Sequence, residues 1–249
     1  MPLIKTSNPA LSENVFRDQP LSREGAMTLD GTVNKTAILL LCAVATAAYA
    51  WHVFMQNRSG VSVMPLLWGG LIGGFIFALI TIFKNEWAPV TAPIYSLLEG
   101  LVLGSLSAVF ELRFPGIAMQ SVAMTFGVLL VMLFAYRSHL IPVTRKLRLG
   151  IIAATGAIAL FYIAEIVLSF FGIQFASING SGPIGIGFSI VVVAIAALNL
   201  VLDFDFIESG VQAGAPKYME WYGAFGLMVT LVWLYLEILR LLSKIRSND

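Results

Sequence analysis

Apolar residues run along this chain in long unbroken stretches, and polar residues gather in the short gaps between them. A helix that crosses a bilayer needs about 20 mostly apolar residues, because each residue rises about 1.5 Å across a hydrocarbon core of roughly 30 Å. Seven stretches meet that length: 33–54, 64–83, 92–110, 117–136, 149–171, 184–203 and 218–242, the last being the least apolar. They lack the two-residue alternation of barrel strands. The gaps carry turn chemistry, as in Asn57-Arg58-Ser59-Gly60, Arg113-Phe114-Pro115-Gly116, Asn179-Gly180-Ser181-Gly182-Pro183 and the run from Gly210 to Pro216. The pattern predicts an all-α polytopic membrane protein. A polar tail over 1–32 precedes a seven-helix bundle over 33–243, and a short tail over 244–249 follows it. No soluble domain fits between the helices, so any activity must come from the bundle itself.

Composition supports this reading. Of 249 residues, 58% are hydrophobic and 12% charged, whereas a soluble domain is about 45–50% apolar and about 25% charged. Lipid must be the solvent for much of the surface. A net charge of +1 excludes nucleic acid as a partner, because phosphate binding needs a basic patch. The single cysteine, Cys42, permits no intrachain disulfide. The first stretch lacks the layout of a cleaved signal peptide and reads as a cytoplasmic tail. With the N-terminus inside, the inner segments hold ten basic residues, including Arg145, Lys146 and Arg148, against five in the outer segments. That asymmetry places the N-terminus in the cytoplasm. Close helix packing is expected at Gly69-Gly70-Leu71-Ile72-Gly73-Gly74 and at Gly100 and Gly104, because small residues four apart let backbones approach.

Candidate chemistry lies where lipid would not tolerate polarity. A carboxylate at the bilayer centre costs about 2.5–3.5 kcal/mol on insertion scales. Glu99 lies mid-way along the third stretch and Glu165 within the fifth. Asn199 and Asp203 are four apart near the end of the sixth and share a helix face, with Asp205 just beyond. Glu237 lies deep in the seventh, with Arg240 three residues on. Each has a plainer reading. Asp203 and Asp205 could mark a helix exit, Glu237 could pair with Arg240, and Glu165 could make an interhelical hydrogen bond. Two carboxyl groups brought together in a low dielectric cannot both ionise easily, so a pair can hold a proton at low pH and a hard cation such as calcium at higher pH. Enzyme signatures are missing: there is no His-Glu-x-x-His, no Gly-x-Ser-x-Gly and no phosphate-binding glycine loop. No cofactor is implied.

Several stretches, in this order, carry a resemblance. They are Asn8-Pro9-Ala10-Leu11, Gly31-Thr32-Val33-Asn34-Lys35-Thr36, Ala92-Pro93-Ile94-Tyr95-Ser96-Leu97-Leu98-Glu99-Gly100, Leu202-Asp203-Phe204-Asp205-Phe206-Ile207-Glu208 and Trp233-Leu234-Tyr235-Leu236-Glu237-Ile238-Leu239-Arg240. The chain resembles the Bax-inhibitor family of membrane proteins, in its bacterial YccA-like branch. The resemblance implies six helices around a less apolar seventh. It also implies a pH-sensitive passive calcium leak in the bacterial inner membrane, governed by an acidic pair on the sixth and seventh helices. By position that proton-sensing and calcium-binding pair is Asp203, with Asp205 as alternative, and Glu237, where better-described relatives carry aspartate. Relatives place an arginine latch near the end of the second helix, and the nearest basic residue here is Lys84. A different class of reading also follows from the resemblance: an interaction protein that modulates a membrane-bound AAA protease, with the N-terminal tail as its handle.

Overall fold

The computed structural model describes residues 25–172 and 175–248. Residues 1–24 of the expected polar tail lie outside the described residues. Seven long helices follow: α1 (Leu29–Asn57), α2 (Gly60–Phe83), α3 (Ala88–Arg113), α4 (Ile117–Arg137), α5 (Arg145–Ser169), α6 (Pro183–Gln212) and α7 (Met219–Arg246). Each is long and apolar enough to cross a membrane. Local sequence sets their starts. The Thr28 and Thr144 hydroxyls accept from the amides of Gly31 and Leu147 at the first turns of α1 and α5. Gly116 enters α4 with φ +83°, a conformation glycine adopts without steric cost.

Most helices exceed the apolar stretches by several residues at one or both ends, because their polar first and last turns can lie at the interface. Two extensions alter the sequence reading. Helix α6 continues nine residues past Asp203, so Asp203, Asp205 and Glu208 are helix positions rather than exit markers. Helix α7 continues to Arg246, so Lys244 belongs to the bundle rather than to a tail, and it is buried.

The least apolar helix sits at the centre. Most of α7 is buried, and α1, α3, α4 and α6 pack around it. The other two helices lie one layer out: α2 leans on α3, and α5 on α6. The ring of six is thus an inner four with two outer helices.

The α1–α2–α3 side is close-packed through small residues. A Cβ added at Gly100 would meet Ala43 O at 2.2 Å, and one at Gly104 would meet Ala47 O at 2.3 Å. Gly70 is similarly tight, 2.7 Å from Leu98 O. Gly73 faces only the Leu98 side chain at 3.1 Å, and Gly69 has nothing within 4 Å. The α2 contact therefore turns on Gly70 more than on Gly73.

Candidate functional site

Helix α5 joins the rest of the bundle along one narrow face. Positions 148, 151, 155, 158, 162 and 165 recur every three or four residues and are all at least partly buried. This is the spacing of a helix seam. Ile151 and Ile158 are its buried apolar residues. Arg148, Thr155 and Tyr162, seven apart, are its polar ones, with Glu165 at the end.

Each polar seam residue meets a polar partner. Arg148 Nη2 donates to Asp205 Oδ2 on α6 at 2.5 Å. Asn199 Nδ2 donates to Thr155 Oγ1 at 2.8 Å, and also to Ile195 O on its own helix at 2.9 Å. Tyr162 donates its hydroxyl to Glu237 Oε1 on α7 at 2.9 Å and accepts from Arg240 Nη1 at 2.6 Å. Arg240 Nη1 also lies 3.1 Å from Glu237 Oε1. The Glu237 side chain is 3% exposed and that of Arg240 45%, so a solvent-reaching cation covers a buried anion. Glu165 accepts from the Asn179 side chain, in the connection between α5 and α6 rather than on another spanning helix. Near Arg148, the Tyr136 hydroxyl of α4 donates to Glu208 Oε2 at 2.5 Å. From Arg148 to Glu165 the seam rises about 25 Å, most of a hydrocarbon core of about 30 Å.

The expected pairing of Asp203 with Glu237 does not form. Phe206 stacks against Tyr222 with ring centroids 6.3 Å apart, and Lys244 Nζ reaches Ser189 Oγ at 2.9 Å. These contacts fix the antiparallel register of α6 on α7. Asp203 is thus level with about residue 227 and Glu237 with about residue 193, roughly 15 Å apart along the axes at 1.5 Å per residue. Asp203 is fully buried, and it is Asp205, the alternative, that takes an arginine. The expected local pairing of Glu237 with Arg240 is present, with Tyr162 added to it. Glu99 lies elsewhere, its carboxylate beside Gly74 of α2. Lys84 is exposed at the end of α2 and joins none of the four ion pairs among the described residues. The basic residue that pairs with a carboxylate of α6 is Arg148. Among the described residues, no three His, Cys, Asp or Glu side chains are grouped to hold a metal ion.

A second polar cluster ties the first helix to the last. Glu220, fully buried, takes Lys35 of α1 and Lys217, the latter at 2.8 Å. It also accepts from the Thr28 amide at 2.9 Å and the Thr28 hydroxyl at 2.8 Å. The Met27 amide donates to Ala215 O at 2.7 Å, so the strand-like entry to α1 is strapped across the α6–α7 turn. Gly31 leaves room for this carboxylate, because a Cβ there would fall 2.1 Å from Glu220 Oε1 and displace it from its partners.

An apolar cleft of about 540 Å³ lies on the opposite side, between α1 and α4 over a floor of α3 and α7. Its one charged lining residue, Glu111, accepts from the amides of Gly116 at 2.5 Å and Ala118 at 3.1 Å. That carboxylate caps the first turn of α4.

Sequence reasoning missed Arg148, Tyr162, Glu208, Glu220, Lys35 and Lys244. The seven-residue recurrence of Arg148, Thr155 and Tyr162 was available in the sequence as a polar stripe on an otherwise apolar helix. The nearby Lys217 does not mark Glu220 as buried, and its other partners, Thr28 and Lys35, come from almost 200 residues away. No curated protein and no solved structure matches the chain. The seven-span all-helical architecture around a central last helix is what the resemblance implied, and a family model described as Bax inhibitor 1 like matches residues 8–247, so the chain belongs to the Bax inhibitor family.

Proposed function

We propose that the protein is a passive, proton-regulated cation leak whose path is the seam between α5 and the α6–α7 pair, with calcium the favoured ion. The observation that carries this reading is the ladder of polar contacts running from Arg148–Asp205 through Thr155–Asn199 to Tyr162–Glu237–Arg240. Interhelical hydrogen bonds in membranes average about 0.6 kcal/mol, up to about 1.7. One neutral rung and two rungs to charged groups, each worth about 1.5–3 kcal/mol, hold α5 by about 4–8 kcal/mol together, close to the few kcal/mol of a conformational equilibrium. A seam this weakly closed can part and expose carboxylate, carbonyl and hydroxyl oxygens, the ligands hard cations prefer.

Protons act on the same contacts. The groups facing Glu237 are Tyr162 of α5 and Arg240 of its own helix, with Lys244 one turn beyond. Asp205 faces Arg148. Protonating either carboxylate dissolves its ion pair, so acidification favours the parted seam and leak rises as pH falls. Glu237→Gln mimics the protonated form. In vesicles containing only this protein, that variant should leak calcium at neutral pH as the wild type does at low pH, with most of the pH dependence gone. A wild-type pH profile in Glu237→Gln would refute the proton switch.

A further inference from the structure

Lys244 is a buried lysine that donates only to neutral oxygens among the described residues. It is 6% exposed on the last turns of α7. Its Nζ donates to Ile178 O at 2.7 Å, Ser189 Oγ at 2.9 Å and Gly185 O at 3.1 Å. No ion pair forms at Lys244 among the described residues. Two carbonyls and a hydroxyl arranged around one ammonium are the ligand set of a weakly hydrated monovalent cation, because an ammonium group and a potassium ion are close in size and charge. The cage is built tightly. A Cβ on Gly185 would lie 2.1 Å from Gly180 O and 2.8 Å from Ile178 O, so the α5–α6 connection presses directly on the first turn of α6.

Its position matters as much as its ligands. Lys244 is one turn beyond Arg240, and Ser189 adjoins Phe188, whose ring meets Tyr162 edge-on at 6.5 Å. The cage therefore continues the polar seam past Glu237 at the end away from Arg148. We propose that Ile178 O, Gly185 O and Ser189 Oγ form a monovalent-cation site of which Lys244 Nζ is the built-in occupant, a tethered ion that plugs this end of the seam. The plugging rests on the seam being the path, whereas the cation site does not.

Lys244→Met keeps the length and bulk of the stem and removes the ammonium. With the purified full-length variant, melting should be raised by potassium or ammonium chloride and not by choline chloride at equal ionic strength, because only the small cations fit the vacated oxygens. Wild-type melting should not distinguish the three salts. In vesicles at low pH, where the seam is parted, Lys244→Met should pass potassium several-fold faster than wild type. Identical melting of the variant in all three salts overturns the cation site. Cation-selective melting with no added leak supports the site and overturns the plug. Should Lys244→Met not fold in any salt, Ser189→Ala carries the test, since it keeps the lysine but takes one oxygen from it. Its potassium leak should exceed the wild type's, and equality overturns the proposal. Absence of any leak from wild-type vesicles at all pH values counts against seam conduction, and the melting comparison still decides the cation site.

Discussion

The two sides of this bundle are held by opposite means. On the α1–α2–α3 side, glycines bring backbones into contact, and a methyl group at Gly100 or Gly104 would overlap a neighbouring carbonyl by more than 1 Å relative to ordinary contact. On the α5 side, one helix is attached by two isoleucines, by Phe161 and Tyr162 against the Phe188 ring of α6, and by a ladder of single hydrogen bonds and ion pairs. Helix association in lipid has no hydrophobic drive, so it rests on close packing and on polar contacts. Close packing is lost all at once when backbones separate. Polar contacts can exchange protein partners for water, protons or ions. The first side therefore behaves as scaffold, and the second is where a reversible opening costs least. The central α7 belongs to both: its first turn is locked to α1 through Glu220, and its later turns carry Glu237, Arg240 and Lys244.

The largest effect expected from this contrast is on the scaffold. Gly100→Leu should abolish the folded bundle, because Thr46 Oγ1 and the Ala43 carbonyl occupy the space of its Cβ. Monodisperse protein in detergent with a wild-type melting temperature would contradict the close contact. Next in size is Glu220→Ala, which strands Lys35 and Lys217. Breaking a buried pair costs about 3–5 kcal/mol, and the low end, about 3 kcal/mol, applies because both lysines reach water. Denaturant or thermal unfolding of the variant reads this directly, and a shift under about 1 kcal/mol would show that the strap is ornamental.

Smaller effects on stability, but larger ones on flux, are expected across the seam. Arg148→Gln should cost about 1.5–3 kcal/mol while raising calcium leak at neutral pH, because Asp205 loses its cation. A leak equal to wild type would remove Arg148 from the mechanism. Gly73→Leu should fall near the bottom of the series, since only the movable Leu98 side chain stands in its way. If it unfolds the protein as Gly100→Leu does, the ranking of contacts on the scaffold side is wrong. Glu165→Gln should be the mildest for flux, because its partner Asn179 lies on a connection and not on a spanning helix.

Architecture was legible because hydrophobic length is a property of each segment alone. The seven runs located seven helices, and the weakly apolar run at 218–242 marked the helix that the others would surround. Pairing was less legible. Asp203, Asp205 and Glu237 stood out as carboxylates in lipid, but which of them meet depends on the register of α6 against α7. In the observed register, set by the turn between Gln212 and Met219, Asp203 and Glu237 lie about 15 Å apart along the axes. Lys244 was hidden for a different reason: it fell just past the end of the apolar run, and one more helical turn carried it into the bundle. The seam itself was written in the spacing of Arg148, Thr155 and Tyr162, but a stripe on one helix acquires meaning only with its partners.

The central claim is that conduction requires α5 to part from α6 while the scaffold stays closed. Thr155 Oγ1 and Asn199 Nδ2 are 2.8 Å apart, so cysteines at these two positions would face each other across the seam, where disulfide formation on oxidation is read directly by loss of free thiol. With Cys42→Ser, Thr155→Cys and Asn199→Cys combined, the only two thiols face each other. Calcium flux into vesicles containing this variant should fall to the protein-free rate at low pH when oxidised and return on reduction. Flux that is undiminished with the disulfide formed would contradict an opening between α5 and α6.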